Sequence, residues 1–277
     1  MKCKLLALAF GLATSFSALA GPVISLPSGP IYIKFNGDEQ IATGGATTWT
    51  GGEINWGVFT TTVIDAGAVI TPHVRIGDTG TALFSNVTSN NAQITGMFYG
   101  VKGHAPTAAD PFPATSGFLD LYWRDLGVYS KTDNTTKLPG IRTGFSSATG
   151  YTQGTLLAHL FFDSGIDTTD STITINGSVI PSSGGFTGVA NSFASVDTSV
   201  AGAWTSALNT DYFSTLFGTR DFRFKNSYQD LTTWNGGPGI FGATLDDPAQ
   251  GFVPEPGILL LLGLGLLGLA AARRRQH

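Results

Sequence analysis

Asp221-Phe222-Arg223-Phe224-Lys225 alternates charge and ring with a period of two, the pattern of a strand with one face on a core and the other on water. Ile31-Tyr32-Ile33-Lys34-Phe35 alternates in the same way, and the Asn36-Gly37 that follows is a hairpin-type turn signal. Outward from these two, further strand-like runs recur between Gly, Asn, Asp and Pro clusters: Glu53 to Ile64, Gln93 to Tyr99, Phe118 to Trp123, Thr155 to Phe162 and Thr172 to Val179. The best helix candidate is Leu208 to Phe217, where Leu208, Tyr212, Leu216 and Phe217 could share a face. No internal repeat of fixed period appears, which argues against a solenoid or propeller.

Composition agrees with strands and turns. Of 277 residues 12% are charged and 37 are Gly, against about a quarter charged and about 7% Gly in an average soluble domain. At 42% hydrophobic with 19 Phe, the chain has enough apolar surface to fold. The expected class is mainly β: a single β-sandwich of jelly-roll type over residues 21–233, a flexible spacer over 234–252, and a C-terminal transmembrane helix.

The ends carry targeting chemistry. Lys2 and Lys4, then Leu5 to Ala13, then Ala18-Leu19-Ala20 have the positive, apolar and small-x-small layout of a secretory signal peptide over residues 1–20, cut by signal peptidase after Ala20. The single cysteine, Cys3, leaves with it, so the mature chain forms no disulfide. At the other end Val253-Pro254-Glu255-Pro256 precedes Gly257 to Ala272, sixteen residues of Ile, Leu, Gly and Ala, and then Arg273-Arg274-Arg275. Sixteen residues give about 24 Å of helix, at the short edge for a bilayer. The three arginines would stay cytoplasmic and orient everything before Pro254 outward.

This tripartite end, residues 253–277, resembles the PEP-CTERM sorting signal of Gram-negative bacteria that make extracellular polysaccharide. The resemblance implies recognition by a membrane peptidase-transferase, an exosortase, with transient membrane anchoring through 257–272. It further implies removal of the tail and transfer to the cell surface or extracellular matrix. Cargo of this kind is often linked to biofilm, floc or exopolysaccharide structure.

Charge narrows the partners. Between residues 21 and 256 there are ten Lys and Arg against nineteen Asp and Glu, a net −9, which excludes a nucleic-acid footprint. Catalytic motifs are missing: no Gly-x-Ser-x-Gly elbow, no His-Glu-x-x-His, no phosphate-binding glycine loop. His159, within Leu156 to Phe162, reads as a hydrogen-bonded histidine in a buried strand. Asp163, Asp167 and Asp170 share a turn-rich loop whose oxygens would suit calcium, although turn chemistry alone explains them. Asp120 and Asp125 flank Leu121-Tyr122-Trp123-Arg124 and are the most aromatic-flanked carboxylate pair, as a glycosidase or passive sugar binding would use, although Tyr122 and Trp123 alternating between core and surface on a strand explains them. The leading expectation is a non-enzymatic exported surface or matrix protein with no cofactor. Alternatives are a carbohydrate-binding module with Trp49, Trp56, Tyr122, Trp123 or Trp234 as stacking platforms, an ice-binding protein using Thr60-Thr61-Thr62 or Thr172 and Thr174, and an exported hydrolase.

Overall fold

The computed structural model describes residues 24–42, 49–86, 91–103, 112–132, 142–182 and 185–255. The signal peptide with Ala18 and Ala20, and Pro256 through the arginine cluster, lie outside the described residues. Among the described residues fifteen strands dominate, and the mainly β expectation holds: β1 (Gly29–Ala42), β2 (Glu53–Thr71), β3 (Arg75–Ser85), β4 (Ala92–Gly103), β5 (Phe112–Thr115), β6 (Phe118–Asp125), β7 (Arg142–Gly144), β8 (Ser147–Ala148), β9 (Thr155–Asp163), β10 (Ile175–Ser182), β11 (Gly185–Val196), β12 (Phe213–Thr215), β13 (Gly218–Arg220), β14 (Phe222–Asp230) and β15 (Ile240–Val253).

Hydrogen bonding runs β1–β2–β4–β6–β9–β11–β14–β15 and returns from β15 to β1, antiparallel at every step. The expected pair of stacked sheets is therefore one sheet closed on itself, an eight-stranded barrel. β3 extends the β2 edge beyond β4, while β5 and β10 form a side wing between β4 and β11.

Period-two patterning sets the interior. Ile31, Ile33 and Phe35 of β1 point inward with Phe59, Leu121, Phe162, Phe222 and Phe224, all buried in one core. Their rings interlock, Phe35 on Phe59 at 4.8 Å and Phe162 edge-on to Phe224 at 5.9 Å. Each buried side chain of this size contributes roughly 1.5–3 kcal/mol. On the outer face, Trp56, Val58, Met97 and Tyr99 form a second cluster roofed by Ala148, Tyr151 and Trp234. Thr60 and Thr61 are buried as well, so the Thr60-Thr61-Thr62 run offers no flat hydroxyl face.

Three expectations change. Asn36-Gly37 is not a turn: it lies mid-strand, paired to Thr60 and Phe59 on one side and to Asp246 and Leu245 on the other. Glycine is required there for close approach, since a Cβ would fall 2.6 Å from the Val58 carbonyl oxygen. Residues 240–252 are not a spacer but most of β15, held by β1 and β14, and Trp234 before them is 1% exposed. Pro248, which has no N–H to give, sits where the β14 ladder skips from Phe224↔Ala249 to Ser227↔Asp246. The helix expected over Leu208 to Phe217 is reduced to α1 (Thr205–Leu208), followed by the β12–β13 hairpin. Asp221 draws the chain out of helix by accepting the N–H groups of Thr210 and Asp211 on one oxygen and Val196 on the other. Phe213, fully buried, then packs against Phe193.

One interior position is acidic. Glu39 follows Phe35 and Gly37 on the inward side of β1, accepts a 3.0 Å bond from the Asn55 amide, and has its carboxyl pushed up to about 8 by burial. It therefore enters the fold largely protonated at neutral pH. Because the folded value lies above the ordinary 4.5, the folded chain binds more protons between the two. The contribution of Glu39 to stability is thus full below pH 4.5 and is lost as pH rises to about 8, by up to about 1.4 kcal/mol per pH unit in between. Urea titrations at pH 5, 7 and 9 should show this decline, and Glu39→Gln should flatten it. An unchanged slope in the variant would assign the decline to other groups.

Candidate functional site

The clearest cluster of titratable groups lies outside the barrel wall where β4, β6 and β9 run together. Asp120 and His159 are cross-strand partners, which places their side chains on one face. Nδ1 of His159 lies 2.5 Å from one Asp120 oxygen, and the Tyr99 hydroxyl donates to the other at 3.3 Å. Phe118 stacks on the imidazole at 5.3 Å and 15°. The hydrogen bond to Asp120 raises the His159 pKa above its usual 6.5, against the opposing effect of burial.

An Asp–His pair of this kind can orient a general base, which then needs a hydroxyl or water at Nε2. Here Nε2 faces the Asp197 carboxylate at 3.9 Å. The nearby Ser199 hydroxyl is already donated to Asp197 at 2.6 Å. The imidazole thus lies between two carboxylates, an arrangement that holds three outer-face segments together as an ion-paired bridge. The sequence signal for it was His159 inside an apolar run; its partner 39 residues away carried none.

Asp120 and Asp125 do not form a pair. They lie five residues apart on the single strand β6, about 16 Å along it at the usual rise, too far for two carboxylates sharing one glycosidic bond. Asp125 instead accepts the Gly127 N–H in the following turn.

The carboxylates of the Asp163 loop are also spoken for. Asp163 meets Arg220 Nε at 3.2 Å and accepts the Ser195 hydroxyl at 3.0 Å. Asp167 accepts from the Thr169 hydroxyl and from the Thr169 and Asp170 N–H groups, which holds its pKa below the usual carboxylate range. One Asp170 oxygen takes the Thr172 N–H and hydroxyl. Among the described residues no three His, Cys, Asp or Glu side chains converge as metal ligands. These aspartates shape turns.

The aromatic platforms are largely consumed by packing. Trp56 and Trp234 are each 1% exposed and sit 5.8 Å apart, and Trp123 is buried against Phe84. Trp49 and Tyr122 are half-buried, Trp49 meeting Trp56 edge-on at 6.2 Å. A sugar ring needs an open aromatic face, and three of the five candidates have none.

The remaining feature is the exit of the chain. Val253, 4% exposed, closes β15 opposite Gly29, and Pro254 and Glu255 follow it into solvent. Phe252 is clamped by Tyr212, stacked at 4.6 Å and 4°. The readable segment thus begins one residue after the rigid wall of the barrel.

The His159 bridge is testable by titration. By NMR, His159 should titrate above 6.5, and in Asp120→Asn it should move down toward or below that value. The added stability should be full below pH 6.5 and disappear as pH rises through the folded value. The difference in stability between the two proteins should therefore be larger at pH 6 than at pH 9. Titration of the unsubstituted protein below 6.5 would refute the bridge.

Residues 252–275 match the family model of the PEP-CTERM protein-sorting motif. No curated protein and no solved structure matches the chain. The match spans the last two residues of β15, the exposed Pro254 and Glu255, the apolar stretch and the three arginines, and it implies export, membrane passage and exosortase processing. The chain carries a PEP-CTERM protein-sorting motif at its C-terminal end.

Proposed function

We propose that this chain is a non-enzymatic exported protein that becomes part of the cell surface or of an exopolysaccharide-associated matrix, in a biofilm or floc, after exosortase removes its tail. The observation that carries the proposal is the sorting motif beginning at the rim of a closed barrel. Signal peptidase cuts after Ala20, and the apolar stretch 257–272 holds the precursor in the inner membrane with Arg273, Arg274 and Arg275 inside. Pro254 fixes an extended approach, and Glu255 offers the single charge in the recognised segment.

The barrel supports a passive role. Its titratable pair and its aspartate loop are engaged in holding segments together. Its net −9 over residues 21–256 favours solubility at an exposed site. No cysteine remains in the mature chain, so the released protein depends on packing and needs no oxidising environment.

Processing should leave the fold untouched, because Val253 is the last residue β15 uses. Intact-mass analysis of protein released by a host with its exosortase should give a chain starting at Gly21 and ending between Val253 and Gly257. Glu255→Ala should leave export intact and hold the tailed form in the inner membrane. A released protein that still carries the leucine-rich tail would overturn the proposal.

A further inference from the structure

The β2–β3 hairpin runs past the end of the barrel. The row Ala66–Ile31–Gly251 is the common reference, since Ile31 pairs with both neighbours. β2 and β15 both run antiparallel to β1, so they leave this row in the same direction. From it β2 continues five residues to Thr71, about 16 Å at the usual rise per residue. The C-terminal chain leaves the same row at Gly251 and reaches Gly257, the first residue of the apolar stretch, six residues later. Its extended reach is at most about 21 Å. The hairpin tip and the start of the apolar stretch are therefore within reach of one plane.

The tip is apolar where it should be polar. Residues 68–71 and 72–75 are exposed, yet they include Val69 at 43%, Ile70 at 56% and Val74 at 52% exposure. Aliphatic groups so displayed mark an interaction surface. No acid lies in the tip; the nearest along the hairpin, Asp65 and Asp78, are both paired with Lys34 at 3.0 and 2.5 Å, and the exposed Asp211 beside Tyr212 accepts the Thr219 hydroxyl at 2.8 Å. Arg75 is its one cation.

The tip is also fixed to the exit strand. His73, at φ +59°, turns the hairpin; its ring lies 4.9 Å from Tyr212, which stacks on Phe252. Its Nδ1 meets the Tyr212 carbonyl at 2.9 Å, and its own carbonyl accepts the Ser214 N–H at 2.8 Å. Orientation of the hairpin is thus locked to the residues immediately before Pro254.

We propose that the Val69–Ile70–Val74 tip inserts into the phospholipid surface of the outer leaflet while the precursor is anchored, with Arg75 at the headgroup phosphates. This rests on the reading that Gly257 to Ala272 crosses the membrane. A bilayer is favoured as occupant because the tail delivers one to this end of the barrel. Two contacts with the same leaflet, the tail and the tip, would stop the barrel from swinging and would present Pro254-Glu255-Pro256 in a fixed pose at the membrane face.

The test uses the full chain carrying Cys3→Ser, reconstituted into phosphatidylethanolamine and phosphatidylglycerol vesicles. An environment-sensitive fluorophore is placed at Ile70→Cys, or at Phe241→Cys as a control, since Phe241 pairs with Ile41 at the opposite end of β1. Headgroup-proximal nitroxide lipids should quench the label at 70 about twofold or more and leave the one at 241 unchanged. Protease protection of the C-terminal tail is scored in the same vesicles. A protected tail with the label at 70 open to aqueous iodide would overturn the insertion and spare the anchor. An unprotected tail would overturn both. Quenching that appears only when exosortase is present in the vesicles would replace lipid by protein as the occupant. In cells, Val69→Asp with Ile70→Asp should slow tail removal with the fold unchanged by circular dichroism, and processing at the normal rate would count against a positioning role.

Discussion

The structure depends on the ladder between its first and last strands. Fourteen rungs join β1 to β15, from Gly29↔Val253 to Ala42↔Ile240. Without them the sheet would end in two long edges of unpaired backbone groups, and the inward-facing Ile31, Ile33 and Phe35 would lose one wall of their core. The contact separates its partners by 198 to 224 residues, so its loop-closure entropy is met only once almost the whole chain is present. An exported chain therefore completes its barrel when its last strand has emerged, next to the segment that reaches the membrane.

That constraint links the fold to sorting. The motif is not suspended on a linker; its first matched residues, Phe252 and Val253, are part of the wall. Whatever recognises Pro254 and Glu255 meets them at a fixed distance from Tyr212, His73 and the β2–β3 hairpin. β15 uses no residue beyond Val253. Removal of the tail and persistence of the fold are compatible because the strand ends where the motif begins.

Legibility in the sequence followed the physics of each signal. β4, β6 and β9 alternate or run apolar between turn residues, and their positions could be read within a few residues. β15 could not, because its Gly242, Pro248 and Gly251 carry the composition of a linker. What makes it a strand is pairing on both sides, a tertiary fact that overrides local propensity. Asn36-Gly37 failed for the same reason. Closure of the sheet had no local signature at all. The tail was legible because its recognition is by sequence and hydropathy, whereas the Asp120–His159 bridge joins residues 39 apart and required the register of two strands. The tryptophans misled because a large ring looks the same in sequence whether it meets sugar or, as Trp56 and Trp234 do, another ring.

The central claim is that β15 closes the barrel up to the edge of the sorting motif. Native-state hydrogen exchange, read residue by residue on the folded exported chain, tests it most directly. Amides of Phe241 to Val253, Pro248 aside, should fall in the slowest-exchanging class together with those of Ile31 to Ile41, and both should share one opening free energy. Exchange of 240–253 at the rate of an unstructured peptide, with β1 still protected, would contradict the account and return that segment to a spacer.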